Sequence, residues 1–242
     1  MEAIAGDEAG YGYHKLTHLL RQKYCLEINK KKVYRLCKEL EILKHQRKIK
    51  KKHPRRLAIN RTITGPNQLW ETDLKYGYVA EEDRFFFILS FIDVFNREIK
   101  GYHIGLACEA KHVVQALKQA LLKHGLFEKG KKLPAIRSDN GPQFVSHLFE
   151  DTCEELGILH GRIPPKTPNM NEHIESFHRV LEDDCLSKNE FETYAQAYGE
   201  VVDYMEFYNK RRLHSSLYYL SPVEFAKRHR ENGLQLKKLV KV

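Results

Sequence analysis

At 242 residues, with 42% hydrophobic and 11% aromatic content, the chain can bury a sizeable core and has the composition of a folded globular protein. Its 41 basic residues outnumber 32 acidic ones, giving +9 and a pI near 9.2, a surplus that suits a polyanion whose phosphates release counterions to Lys and Arg. No apolar stretch is long enough to span a bilayer and no signal peptide is visible, so nucleic acid is favoured over membrane.

Five cysteines at 25, 37, 108, 153 and 185 are odd in number and contain no Cys-x-x-Cys pair, which predicts a reduced, cytosolic protein. A zinc site from His14, His18, Cys25 and Cys37 is the alternative at this end. Zinc knuckles need their cysteines closer together, so ordinary thiols and solvated histidines are expected.

Residues 11–43 hold two apolar-periodic runs, Tyr13, Leu16, Leu19 and Leu20, then Val33, Leu36, Leu40 and Leu43, with Asn29 as N-cap of the second. Two short helices follow, either a helix-turn-helix or a plain helical hairpin. From Lys44 to Arg56, eight of thirteen residues are Lys or Arg and none is acidic. Such a run repels itself and predicts an extended linker, with Lys48, Lys50, Lys51, Lys52, Arg55 and Arg56 available as a strap along a phosphate backbone. Gly65-Pro66-Asn67 marks a domain start.

The pattern then changes to strands over 69–79, 85–92 and 98–104, turning at Asn96-Arg97. The near-continuous apolar run of the second suits a central strand covered on both faces. An amphipathic helix is predicted over 110–124, a brief strand over 134–137, a helix beginning at Pro142, and a last strand over 157–161. After a loop at 164–168 comes a helix whose stripe of Ile174, Phe177, Leu181 and Cys185 leaves Glu175 beside the buried edge, with Arg179 and Glu182 on its face. Further helices are expected over 191–208 and 222–230.

Three acids stand out: Asp73 in Trp70-Glu71-Thr72-Asp73, Asp139 in Arg137-Ser138-Asp139-Asn140-Gly141, and Glu175 in Ile174-Glu175-Ser176-Phe177. A two-metal phosphoryl-transfer site needs carboxylates from different elements, because one strand or helix cannot surround both ions. Asp139 also falls just past a strand, where open α/β sheets place ligands. Singly, each acid has an ordinary reading: a strand-edge charge, a turn, a helix first-turn acid. Asp93 is read as a turn or capping residue.

These motifs, with Ser138 to Phe144, Glu175-Ser176-Phe177-His178, and Tyr208 to Leu217 followed by Ser221-Pro222, resemble the catalytic subunit of the third insertion-sequence family, within the DDE transposases and retroviral integrases. The resemblance runs from about Tyr11 to Arg230. It implies an α/β chain with a ribonuclease-H-like mixed five-stranded sheet flanked by helices, preceded by a small helix-turn-helix-like region. The implied domains are a helical region at 1–43, a basic linker at 44–66, a catalytic core at 67–190 and a C-terminal helical extension at 191–242.

The resemblance further implies Asp73, Asp139 and Glu175 as catalytic ligands of two Mg²⁺ ions, with Mn²⁺ as substitute, and metal-dependent cleavage and strand transfer of mobile-element DNA. It implies a homo-oligomer on DNA, an upstream-frame fusion or partner, and a bacterial, nucleoid-associated location. His178, Arg179 and Arg212 are the expected local DNA contacts. Two departures bear on this: Glu172 and Glu182 add acids where relatives carry small or basic residues, which would weaken the grip on phosphate. Leu213, where relatives commonly have proline, is read as a matter of packing. An inactive DNA-binding remnant and a ribonuclease-H-like nuclease are the rival readings.

Overall fold

A computed structural model describes residues 12–43, 57–59, 61–164, 168–238 and 240–241. The chain divides into two compact units, 1–51 and 52–242. In the first, α1 (Tyr13–Lys23) and α2 (Lys30–Glu39) pack through Leu16, Val33 and Cys37, with Leu19, Leu20 and Leu43 against them. Asn29 caps α2, its side chain accepting from the Lys32 N–H at 2.9 Å. The basic residues Lys48 to Arg56 lie outside the described residues.

The second unit is built on a five-stranded sheet. A long hairpin of β2 (Leu69–Val79) and β3 (Arg84–Asp93) is extended by antiparallel β4 (Ile99–Gly105). Parallel strands β5 (Ala135–Ser138) and β6 (His160–Arg162) add to the other side of β2, giving the order β4-β3-β2-β5-β6. A two-stranded sheet precedes and closes the unit: β1 (Thr62–Ile63) pairs with β7 (Val240–Lys241). Periodicity gives no warning of these two-residue strands.

Strand alternation sorts the core onto two faces. On one, Trp70, Leu89, Phe91 and Ile136 meet α3 (Ala110–Lys123) and α4 (His147–Glu155). On the other, Val79, Phe86, Ile88 and Ile92 meet α5 (Glu172–Asp184) and α6 (Tyr194–Lys210). Gly77 is required there, since a Cβ would lie 2.2 Å from the Phe86 ring. A third cluster, with Ile63, Leu69, Phe95 and Leu217, seats α7 (Pro222–Asn232) through Phe225.

The strand readings over 69–79, 85–92 and 98–104 hold to within a residue or two. Helix α4 starts at His147, five residues past the expected Pro142. Residues 141–145 instead turn, with Phe144 and Val145 N–H groups both donating to the Gly141 carbonyl, and Ser146 supplies the cap by accepting from Phe149 N–H. The last strand starts at His160, because Gly157 ends α4 in the left-handed region at φ +67° and Ile158 turns into the core. The segment expected as an extension is integral, since α6 buries Val201, Met205 and Tyr208 in the main core. Among the described residues, no helix is long and apolar enough to cross a membrane.

Candidate active site

The site is laid out by β2. Its odd-numbered residues Glu71, Asp73 and Lys75 point to the face covered by α5, and each meets that helix. Glu71 accepts from the backbone N–H groups of His173 and Ile174, both at 3.0 Å, and its second oxygen lies 3.0 Å from His173 Nδ1. Asp73 Oδ2 is 3.7 Å from His178 Nδ1, and Lys75 Nζ is 2.6 Å from a Glu182 carboxylate oxygen. Two residues of strand rise about 6.8 Å and four residues of helix about 6 Å, so a helix lying along a strand meets it at such steps.

Asp139 leaves the end of β5, the neighbour of β2, in a turn closed by its own Oδ1 accepting from Gly141 N–H at 2.8 Å. Asn140 secures the turn by donating to the Ile163 carbonyl at 2.9 Å. Glu175 sits in the first turn of α5, exposed, while Ile174, Phe177, Leu181 and Cys185 anchor that helix in the core as the stripe predicts. Hence a strand, a loop and a helix each contribute one acid.

Electrostatics ties the three together. Burial raises the Asp73 carboxyl to about 6, and the negative charges of Asp139 and Glu175 push the same way against the Leu74 backbone N–H. Glu175 is also raised, by desolvation first and then by Glu71 and Glu172. Among the described residues no three such groups stand at metal-ligand spacing. An all-oxygen donor set with surplus negative potential fits a hard divalent cation that keeps part of its own water.

The expected DNA contacts divide. Arg179 is exposed on α5, one turn beyond Glu175. His178 is not a phosphate contact: it is buried, and desolvation followed by the Lys75 charge lowers it to about 4, so it is neutral. At 3.7 Å with a neutral ring, its approach to Asp73 is a packing contact rather than an ion pair or hydrogen bond. Arg212 is committed elsewhere, its Nε donating to Asp184 Oδ2 at 2.9 Å and tying the end of α6 to the end of α5. Glu182 is paired with Lys75, which offsets its charge on that face.

The Tyr208 to Leu217 motif docks on the core. Tyr208 and Leu217 are buried, and Asn209 bonds both the N–H and the carbonyl of Ile99 on β4, at 2.8 and 2.9 Å. Leu213 is exposed, so its packing role falls away. Asp93 is the turn residue expected, fully buried and accepting from Asn67 and Phe95 N–H groups.

Sequence reasoning missed the residues that hold the acids in place. Glu71 is fully buried on the same strand face as Asp73, and that parity is the signal that could have singled it out. Arg137, almost fully buried, donates to the Met170 carbonyl at 2.9 Å and the Ile59 carbonyl at 3.1 Å, bracing the approach to α5.

The description integrase core domain fits residues 63–168, and a second family model of the same description fits 156–222. An HTH-like domain fits 3–52, which settles the helix pair of the first unit as helix-turn-helix-like rather than a plain hairpin. The chain carries an integrase core domain preceded by an HTH-like domain, and it is similar to proteins of insertion elements. It is 33% identical over 228 residues to an insertion element IS476 protein of Xanthomonas euvesicatoria, covering 94% of this chain and 63% of that protein. It is 30% identical to the transposase for insertion sequence element IS904 of Lactococcus lactis, over 68% of this chain and 63% of that one. The chain thus spans less than two thirds of the length of either relative.

Among solved structures, a chain of the simian T-cell lymphotropic virus intasome aligns with a TM-score of 0.56 at 17% identity, over 90% of this chain and 71% of that one. The catalytic domain of Mos1 mariner transposase aligns at 0.50 and 16%, over 58% and 70%. These likenesses establish the ribonuclease-H-like integrase fold.

Proposed function

We propose that this chain is a DDE-type polynucleotidyl transferase that cleaves the ends of a mobile element and joins them to target DNA. The observation that carries the reading is the convergence on Asp73, within the integrase core, of the charges of Asp139 and Glu175 from two other elements. Asp73, Asp139 and Glu175 would hold two Mg²⁺ ions, with Mn²⁺ able to replace them. When bound, such a pair supplies activation of the attacking water or 3′-hydroxyl and charge stabilisation at the leaving 3′-oxygen, so no covalent enzyme intermediate is needed.

The chain's own residues do the positioning. Glu71 fixes the start of α5 and with it Glu175, the Asp139 turn is closed by Gly141 and Asn140, and buried His178 packs beside Asp73. Exposed Arg179 and the basic run from Lys48 to Arg56 supply positive charge for the DNA backbone. A homo-oligomer on DNA and a partner or fused upstream segment complete this reading. The pairing of Glu182 with Lys75 weighs against one of the two departures that favoured an inactive remnant.

The test incubates purified protein with labelled duplex DNA and Mg²⁺ or Mn²⁺, beside Asp73→Asn, Asp139→Asn and Glu175→Gln. Nicked and strand-joined products that fall at least about a thousandfold in each variant are expected, since each acid shares in charge stabilisation at the reacting phosphate. Products that persist in the variants would sink the assignment.

A further inference from the structure

Residues 214–220 form a closed loop whose construction is unusual for a connection between two helices. Its ends are bridged, His214 N–H donating to the Leu220 carbonyl at 3.1 Å, while Tyr219 N–H donates back to the His214 carbonyl at 2.9 Å. Leu217, fully buried, plugs the loop into the core. The two residues that follow are Tyr218 and Tyr219, held in the left-handed region at φ +60° and +58°. Non-glycine residues there are strained, and such strain persists where the surroundings over-determine it and gathers at functional sites.

Neither ring is spent on the core: Tyr218 is 42% exposed and Tyr219 66%. The Lys237 ammonium lies 4.8 Å from the Tyr218 ring centre and 5.4 Å from that of Tyr219, and donates to the Ser215 carbonyl at 2.8 Å. Beside the loop is a cavity of about 540 Å³ whose polar lining includes Arg97, Glu172, Ser215, Ser216, Lys237 and Lys238, with Leu236 and Val240 as its apolar part. Three cations and one carboxylate line it; Arg97, which also donates to the Val94 carbonyl, stands at φ +62°. Glu172 is one helical turn before Glu175, so one wall of the cavity stands on the helix that carries Glu175.

Resting on the DNA-acting reading above, we propose that this cavity and the Tyr218–Tyr219 pair form a subsite for an unpaired nucleotide of the DNA strand. Arg97, Lys237 and Lys238 take its phosphate, and its base stacks on the tyrosines. The chemistry selects this occupant. Cations track a phosphodiester, aromatic faces stack any base, and the cavity is of small-ligand size. Duplex DNA keeps its bases stacked inside and has no use for exposed rings. A rigid, strained loop also orders the rings in advance, so binding a base does not have to immobilise them.

The test measures binding, without divalent metal, of a 20-bp duplex ending in two unpaired nucleotides and of its blunt counterpart, with 5-iodouracil in the tail for photo-crosslinking. The wild type is expected to bind the tailed duplex on the order of tenfold more tightly. Its crosslink should map to the tryptic peptide 213–227, which carries both tyrosines. The Tyr218→Gly/Tyr219→Gly variant should bind both duplexes alike, at the wild-type blunt affinity. Glycine accepts positive φ without strain, so an unchanged circular dichroism spectrum is expected. Equal wild-type affinities, or crosslinks confined to other peptides, would overturn the subsite while blunt-duplex binding left the DNA-acting reading standing. Failure to bind either duplex would overturn both.

Discussion

The two faces of strand β2 are made from alternating residues of one segment, yet they are held by different physics. Trp70 on one face is fully buried against Phe91 and His124, with its indole N–H donating to Asn67 at 3.2 Å. Glu71 on the other is equally buried, but its neighbours are two backbone N–H groups and an imidazole. The apolar face holds by dispersion and exclusion of water, which tolerate small shifts. The polar face holds by directed hydrogen bonds, and these fix where the acids stand.

The comparison breaks most severely at Trp70→Ala, which is expected to lose about 3–5 kcal/mol by opening a large cavity. Urea unfolding would register it, and a loss under 1 kcal/mol would mean that the apolar face repacks freely. Glu71→Gln comes next, at about 1–3 kcal/mol, because a neutral amide replaces the charged acceptor of the two backbone N–H groups at the start of α5. Its signature is a fall in strand-joining rate larger than the stability loss explains, with Glu71→Asp recovering part of the rate. If joining is unchanged in a folded Glu71→Gln protein, the strand-to-helix tether does not set Glu175.

Asp73→Asn sharpens the contrast through pH, measured in metal-free buffer. The native carboxyl is raised to about 6 against roughly 3.9 in an unfolded chain, so the native state holds more protons in that window and loses stability as pH rises through it. The variant is therefore expected to gain about 1–2 kcal/mol at pH 7 and almost nothing near pH 4. His178 works oppositely: lowered to about 4 from roughly 6.5, it leaves the unfolded state holding more protons, so stability is lost as pH falls through that range. In the wild type the two slopes oppose one another, and Asp73→Asn should unmask a rise in stability between pH 4 and 6.5. A variant less stable than wild type at pH 7 would show that the carboxyl is not crowded.

The smallest effect belongs to Glu182→Gln, at under about 1 kcal/mol, because its partner Lys75 and the carboxylate are both partly solvated. Because the change frees the Lys75 ammonium, DNA affinity should stay level or rise only slightly in this variant. A marked rise in affinity would restore the view that Glu182 repels phosphate.

Much of this was legible in the residues themselves. The near-continuous apolar run of β3, the stripe of α5 and the order of Asp73, Asp139 and Glu175 are local patterns of period two, of helical period, or of spacing. Local capping was harder to see, since nothing in the Pro142 neighbourhood shows that Gly141 and Ser146 hold residues 141–146 in turns before α4 begins.

What the sequence by itself determined is the alternation that gives β2 one oily and one polar face, the helix that carries Glu175, and the basic surplus that asks for a polyanion. Only the tertiary structure decided which polar residues meet. Glu71 finds His173 across 102 residues, His178 is drawn inside rather than left for phosphate, and Arg212 is taken by Asp184. A hydrogen bond needs two partners at about 3 Å, and no periodicity along a chain records which distant segment will bring the second one there.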